Sequence, residues 1–84
     1  MEKFYTIYVI YSDAKKVKYT GYTDDLDRRL KEHNEGILGK FTKNKGPWRL
    51  IYQEEVDNII EARKREKYLK TGSGRDFIKL KTGY

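Results

Sequence analysis

The chain has no cysteine and only one histidine among its 84 residues. It can therefore form neither a disulfide nor a thiolate zinc site, and a histidine-rich metal centre is also excluded. A bound metal would take carboxylate oxygen as its main ligand, which favours Mg²⁺ or Mn²⁺. No apolar run approaches the roughly 20 residues of a membrane span, and the N-terminus lacks a signal-peptide core. These absences predict a soluble, cytoplasmic protein without a membrane partner.

Positive charge and aromatic side chains are abundant. Nineteen Lys and Arg stand against thirteen Asp and Glu, a formal charge of +6, and 14% of the residues are aromatic. The apolar content of 37% is sufficient for a folded core, and the length predicts a single domain over residues 1–84. A small basic domain favours a polyanionic partner, because each neutralised phosphate releases counterions. Simple solubility is the alternative explanation of this charge.

Six secondary-structure elements are predicted, in the order β-β-α-β-α-α. The strands cover residues 4–11, 16–22 and 48–55, and the first two form a hairpin around the polar turn 12–15. A first helix begins at the capping segment 23–26 and ends near Asn34, and a second helix covers 58–70. Ser73 is expected to cap a short last helix. This order predicts an α/β sandwich with a three-stranded antiparallel sheet flanked by helices.

Two side-chain patterns specify how the later elements should pack. Alternation in the third strand predicts that Trp48, Leu50 and Tyr52 share one side of the sheet. Helical spacing places Phe77 and Leu80 on the inner side of the last helix.

The second helix carries a carboxylate on its apolar face. Ile59, Ala62 and Leu69 share that face at helical spacing, and it is expected to be buried. Glu66 falls among them, and a buried carboxylate is costly unless a cation or hydrogen bonds compensate it. A structural salt bridge, for example to an arginine, and a metal ligand are the two explanations. This helix alone favours the salt bridge.

The first helix also brings polar groups to its apolar stripe. His33 projects onto the stripe and Arg29 lies at its edge, whereas Arg28 points toward solvent. The stripe itself consists of Leu26, Leu30 and Ile37. A satisfied core histidine and an arginine that extends its tip to water are the ordinary explanations. Charged groups on two helices that cover one sheet favour a common site.

Tyr8 and Tyr19 are expected on one face of the hairpin if its loop has two or four residues. Gly21 follows on the same face and leaves room for a close approach by backbone or ligand. Core packing is the default explanation for paired tyrosines. Together with Arg29, His33 and Glu66, however, they would suit phosphodiester hydrolysis, which needs a base, a cation for the phosphate and a carboxylate for a divalent ion.

The sequence then resembles a known family. Thr6-Ile7-Tyr8 and Tyr19-Thr20-Gly21 are similar, in kind and spacing, to the naming tripeptides of GIY-YIG nucleases. The stretches 19–36 and 61–78 resemble the first helix and the glutamate helix of the short standalone bacterial members, of UPF0213-like type. The resemblance covers nearly the whole chain. Thr6, Thr20 and Tyr22 depart from the family pattern, Tyr22 standing where several members have a lysine.

This resemblance implies an endonuclease that uses a single Mg²⁺ or Mn²⁺ and acts on DNA, or on RNA. Glu66 corresponds to the metal-binding acid and Arg29 to the arginine that contacts the scissile phosphate. Tyr8 or Tyr19 would act as general base or position the attacking water, and His33 occupies a position held by His or Tyr. A role in DNA repair or recombination is implied as well.

Nucleic acid is also expected to contact Gly21 and the basic loop between the first helix and the third strand. The lysines of that loop are Lys40, Lys43 and Lys45. An ordinary solvated surface explains them equally well. The rival functions are a nucleic-acid-binding module that has lost catalysis and a protein-interaction adaptor. Because so short a chain buries little substrate, we expect low sequence specificity or a protein partner that supplies it.

Overall fold

The computed structural model describes residues 4–36, 42–43 and 45–84. Its elements are β1 (Tyr5–Ser12), β2 (Val17–Thr23), α1 (Leu26–Asn34), β3 (Trp48–Val56), α2 (Ile59–Leu69) and α3 (Gly72–Thr82). The three strands form one antiparallel sheet in the order β2-β1-β3. The predicted fold class, a small α/β sandwich of order β-β-α-β-α-α, is therefore confirmed. Within the described ranges, no helix combines the length and apolar character needed to span a membrane.

The hairpin loop has four residues, one of the two lengths that place the tyrosines on one face. Ser12 pairs with Val17 across its end, so residues 13–16 form the loop, one residue later than the predicted turn 12–15. Tyr8 then lies opposite Gly21, and Ile10 lies opposite Tyr19. Because side chains alternate along each strand, Tyr8 and Tyr19 project from the same face of the sheet.

The two faces of the sheet have different cores. One face is covered by α2 and α3, and its buried residues are Ile7, Val9, Ala62, Leu69 and Ile78. The other face is covered by α1, and its core contains Tyr8, Ile10 and Trp48, with Leu26 and Leu30 packed against them. The central strand β1 is buried on both sides, which accounts for its run of apolar and aromatic residues.

A β-bulge in β3 contradicts one prediction. Val9 pairs with Tyr52 and Ile10 with Leu50, so one extra residue, Ile51, stands in β3 between the two pairs. Trp48 and Leu50 pack on the α1 side, whereas Tyr52 packs on the α2–α3 side. The prediction that all three share one side was wrong, because the bulge reverses the alternation between Leu50 and Tyr52.

The apolar face of α2 is shorter than predicted. Ala62 and Leu69 are buried, but Ile59 is exposed. Ile59 is the first residue of α2 and directly follows the cap, Asn58, so it lies at the helix end rather than over the sheet. The expected boundaries of this helix, 58–70, are confirmed, with Asn58 and Lys70 as its caps.

The last helix begins earlier than predicted and turns a different face inward. Its N-cap is Thr71, whose side chain accepts the Gly74 N–H, and not Ser73. The buried residues Gly74 and Ile78 are four apart and define the inner face. Leu80 is 88% exposed, because two further residues carry it to the side of the helix opposite Ile78. The prediction that Leu80 faces inward was wrong, although Phe77 packs against the core as expected.

Glycine is required where α2 and α3 meet. A Cβ at Gly74 would collide with the Tyr68 carbonyl oxygen and the Leu69 backbone, whereas one at Gly72 would meet nothing. The close backbone packing at Gly74 therefore fixes the angle at which α3 leaves α2.

Candidate active site

A buried hydrogen-bond chain connects the sheet to α1. The Tyr8 hydroxyl lies 2.8 Å from His33 Nε2, and His33 Nδ1 lies 3.0 Å from the Thr42 hydroxyl oxygen. Tyr8 is 2% exposed and His33 is 3% exposed. His33 thus lies on the apolar face, as its helical position predicted, and both of its ring nitrogens are satisfied.

Tyr8 and His33, the two ring side chains in this series of hydrogen bonds, are both held in their uncharged forms. Burial raises the pKa of Tyr8 well above its ordinary value of 10.0, and Tyr19 raises it further, whereas Arg29 opposes the shift. Burial also lowers the pKa of His33 below its ordinary value of 6.5, and the Arg29 charge acts in the same direction. A neutral imidazole has one donor and one acceptor, so the hydrogen bonds from Tyr8 through His33 to Thr42 can be oriented in either direction.

Tyr19 stands beside this chain at the edge of the sheet. Its ring centroid lies 6.4 Å from that of Tyr8 and 5.1 Å from that of His33. Tyr19 belongs to the edge strand β2 and is only partly buried, unlike Tyr8. It is therefore the tyrosine of the pair that solvent can reach.

Gly21 makes room for the tyrosine pair. A Cβ at this position would stand 2.6 Å from the Tyr8 hydroxyl oxygen and 3.2 Å from the Tyr19 ring. The close approach that the sequence predicted at Gly21 is thus made by the Tyr8 side chain. Gly21 is itself buried, so its role in binding nucleic acid stays a prediction.

Arg29 carries the least satisfied polar group of the site. Its Nε is buried and makes no hydrogen bond within the described part of the chain, and the Glu32 carboxylate lies 3.7 Å away. The Arg29 side chain is 34% exposed, whereas that of Arg28 is 54% exposed and pairs with Asp24. The helix orientation predicted for the two arginines is therefore confirmed. A buried guanidinium N–H without an acceptor favours an anionic ligand at this point.

Glu66 reaches the tyrosine pair through a lysine. Its side chain is 23% exposed, and its carboxylate lies 3.6 Å from Lys70 Nζ one helical turn later. Lys70 Nζ in turn lies 5.9 Å from the centroid of the Tyr19 ring. The negative charge of Glu66 also contributes to the raised pKa of Tyr8. The fold thus brings β1, β2, α1 and α2 together at one cluster, where the salt bridge of Glu66 is to a lysine rather than an arginine.

The carboxylates suit only an open type of metal site. In the described ranges, no group of three or more His, Asp or Glu side chains could enclose an ion. Mg²⁺ in phosphoryl-transfer sites, however, keeps several waters and binds one or two carboxylates together with substrate phosphate. Glu66 is partly exposed, and its carboxylate lies 3.6 Å from Lys70 Nζ, so it could bind a hydrated ion of this kind.

Three site neighbours were missed by the sequence interpretation. Thr42 holds His33, and its carbonyl oxygen accepts the Trp48 indole N–H at 3.2 Å. The Asn34 side chain bonds to the backbone of Trp48 through both its amide nitrogen and its oxygen. Lys70 could have been found from its spacing of four residues after Glu66. Thr42 lies in a segment without periodicity, so no sequence signal pointed to it.

Two of the three lysines predicted in the basic loop lie among the described residues. Lys43 is exposed, and the Lys45 carbonyl accepts a hydrogen bond from the Ser12 hydroxyl. Lys40 and the apolar residue Ile37 lie outside the described residues. The nucleic-acid contacts expected from these lysines stay predictions.

Residues 4–79 match the GIY-YIG catalytic domain, and the chain belongs to the GIY-YIG family. This membership assigns it to a family of nucleases that act on nucleic acid.

Relatives of the UPF0213 type support the assignment over the full length. The chain is 41% identical to a UPF0213 protein of Staphylococcus saprophyticus over 80 residues, which are 95% of each chain. It is 38% identical to one of Syntrophus aciditrophicus, over 95% of this chain and 91% of the relative. The solution NMR structure of a UPF0213 protein from Bacillus halodurans superimposes with a TM-score of 0.56 at 32% identity, covering 95% and 87% of the two chains.

The low pKa of His33 predicts a loss of stability in mild acid. Below pH 6.5 the unfolded chain binds a proton at this residue more readily than the folded chain does. The stabilisation is therefore complete above pH 6.5 and is lost as the pH falls through the folded-state pKa. We expect the free energy of unfolding to fall more steeply for the wild type than for His33→Gln, in urea titrations between about pH 7.5 and 5.5. Parallel curves for the two proteins would contradict this account of His33.

Proposed function

We propose that this chain is a metal-dependent endonuclease that hydrolyses phosphodiester bonds in DNA, with RNA as the alternative substrate. The observation that carries the proposal is the buried Arg29 Nε, which has no hydrogen-bond acceptor in the described ranges and belongs to the same cluster as the tyrosine pair and Glu66. Guanidinium binds phosphate oxygens well, because it combines positive charge with several N–H donors.

In this mechanism, the Arg29 guanidinium binds the scissile phosphate. Its free N–H and its charge would stabilise the negative charge that grows on the phosphoryl oxygens as water attacks. Glu32, 3.7 Å from Arg29 Nε, holds the guanidinium in place without filling its hydrogen-bonding capacity. Arg29 lies at the edge of the apolar face of α1 and its side chain is 34% exposed, which leaves part of the group accessible to a polymer.

Tyr19 is the better candidate to meet the attacking water. Tyr8 is buried, and its raised pKa keeps its proton on the hydroxyl. Tyr19 is partly exposed, and the Lys70 ammonium group lies near its ring. Tyr8, with its hydrogen bond to His33, would then position Tyr19 and relay protons within the site.

Glu66 is the residue that would hold the metal. A bound Mg²⁺ or Mn²⁺ would supply positive charge to the phosphate oxygens and the leaving group. Lys70 neutralises the Glu66 carboxylate in the present structure and is long enough to turn toward a phosphate instead. Low intrinsic sequence specificity follows from this cluster, because its charged groups address the backbone and not the base edges.

The first test is cleavage of labelled single-stranded, duplex and branched DNA by Glu66→Gln. We expect metal-dependent cutting by the wild type and a loss of about 100-fold or more in the variant, because the amide holds a cation poorly. EDTA should abolish the wild-type activity. Glu61→Gln is the matched control: Glu61 lies on the same helix, is exposed and pairs with Lys64 on the surface, so this variant should cut normally.

Cutting that survives Glu66→Gln would point to a contaminant or to a wrong assignment of Glu66. Binding of all substrates without any cutting, with RNA included, would favour the rival function of a binding module. A protein-interaction adaptor would show neither cutting nor salt-dependent affinity for nucleic acid.

The adjacent arginines provide a second test. We expect Arg29→Gln to lower the cleavage rate by about 100- to 1,000-fold, since it removes a donor and a charge from the transition state. Arg28→Gln removes the same charge one residue away, from exposed ion pairs with Asp24 and Asp25. It should change the rate by less than about fivefold. Equal losses in single-turnover rates would show that net charge, and not the position of Arg29, matters.

The tyrosines can be separated by removal of each hydroxyl. We expect Tyr19→Phe to lower the single-turnover rate by about 100-fold or more, because the attacking water loses its base. Tyr8→Phe should lower it less, because its hydroxyl acts through His33 and Tyr19. A greater loss for Tyr8→Phe at equal substrate affinity would instead assign the base to Tyr8.

A further inference from the structure

A cavity opens at the outer edge of β2, behind the candidate active site. Its volume is about 370 Å³, and we call it the β2-edge pocket. Buried apolar side chains of β1, α2 and α3 line its inner wall, and Tyr19 and Thr20 line it on the β2 side. It lies on the α2–α3 face of the sheet, because Thr20 pairs with Val9 there. The apolar wall formed by Val9, Leu69 and Ile78 suits a flat, weakly polar group.

The pocket is surrounded by positive charge. Lys18, Lys70 and Arg75 line it, and no carboxylate does among the residues that the structure describes. Lys18 donates to the Tyr84 carbonyl oxygen at 2.7 Å, which holds its ammonium group at this edge. The Arg75 guanidinium forms no ion pair with any described residue. Three cations around an apolar cavity attract a ligand that joins an apolar part to an anion.

The pocket adjoins the candidate active site across the edge strand β2. Tyr19 and Lys70 belong to both, since Lys70 lines the pocket and also pairs with Glu66. The edge strand β2 separates the two spaces, and none of the described strands pairs with its outer edge. A polymer that crosses this edge would therefore contact both sites with adjacent units.

We propose that the β2-edge pocket holds one unstacked nucleotide of a single-stranded or branched nucleic acid, next to the phosphodiester that is cut. This proposal rests on the proposed function. The base lies against the apolar wall, and its phosphate lies near Arg75 and Lys18. Free phosphate is a poorer match, because it would use the cations and leave the apolar wall empty.

The nucleotide must leave its stack before it can enter the pocket. Unstacking is least costly in single strands, at flaps and at branch points, so the pocket would select these structures without reading a sequence. It would also supply contact area that the small catalytic cluster lacks. The consequence is a preference for accessible bases rather than for a particular base.

The test compares two oligomers with the same charge. Fluorescein-labelled oligothymidylate of about 15 nucleotides and an abasic oligomer of equal length are titrated with protein in EDTA, with anisotropy as the readout. We expect the wild type to bind the thymidylate about tenfold more tightly, because only that oligomer has bases for the pocket. Thr20→Phe fills the pocket and should reduce this preference to less than about twofold.

A charge variant and its control locate the phosphate. Arg75→Gln should weaken binding of both oligomers by about fivefold, since both carry phosphates. Lys79→Gln removes the same charge four residues later on α3, outside the pocket, and should weaken binding by less than about twofold. Far-ultraviolet circular dichroism and thermal melting confirm that each variant is folded.

The outcomes separate the pocket from catalysis. A wild type with equal affinity for both oligomers, or a base preference that survives in folded Thr20→Phe, would overturn the pocket. If metal-dependent cutting is nevertheless observed, the proposed function stands alone. A base preference that Thr20→Phe removes supports the pocket even if no substrate is cut, in which case only the catalytic proposal fails. Loss of the Thr20→Phe protein to misfolding leaves the wild-type comparison and the Arg75 and Lys79 variants to decide.

Discussion

The hydrogen bond between the Tyr8 hydroxyl and His33 is the interaction on which the site depends. It joins the central strand to α1 in the protein interior, where an unmet hydroxyl or imidazole would cost about 1–3 kcal/mol. Thr42 satisfies the other ring nitrogen, so neither polar group is left unpaired. With His33 fixed, Arg29 one turn earlier is brought to the same side of the helix, because residues four apart are neighbours.

The two faces of β1 divide stability from chemistry. Ile7 and Val9 pack with apolar residues of α2 and α3, and this face needs no polar partner. On the opposite face, two tyrosines stand where apolar residues would otherwise pack. Because Gly21 has no side chain, Tyr8 can lie against β2. Only Glu66 belongs to a helix of the first face, and it joins the second through Lys70 at the sheet edge.

Local periodicity predicted most of the fold and the location of the site residues. The order of elements and the choice of Arg29 over Arg28 followed from spacing of two or 3.6 residues. The errors arose where a tertiary contact overrides that spacing. The bulge at Ile51 moved Tyr52 to the other face, and the close contact of Gly74 with α2 turned α3 so that Leu80 faces solvent.

Thr42 was missed for a related reason, because its importance comes only from contact with His33. Site roles are a different matter from positions, since spacing places a side chain but does not say which proton it moves.

The ion pairs among the described residues indicate where excess positive charge is available to an anionic ligand. Away from the site, Arg49 pairs with Asp13, and Arg65 pairs with Glu54. Near β2, two arginines are less fully paired. Arg29 keeps a buried N–H without an acceptor in the described ranges, and Arg75 has no described ion-pair partner. Part of the surplus positive charge therefore lies along the edge where the catalytic cluster and the β2-edge pocket meet. A polyanion that crosses this edge would contact both arginines, because α1 and α3 cover opposite faces of the sheet.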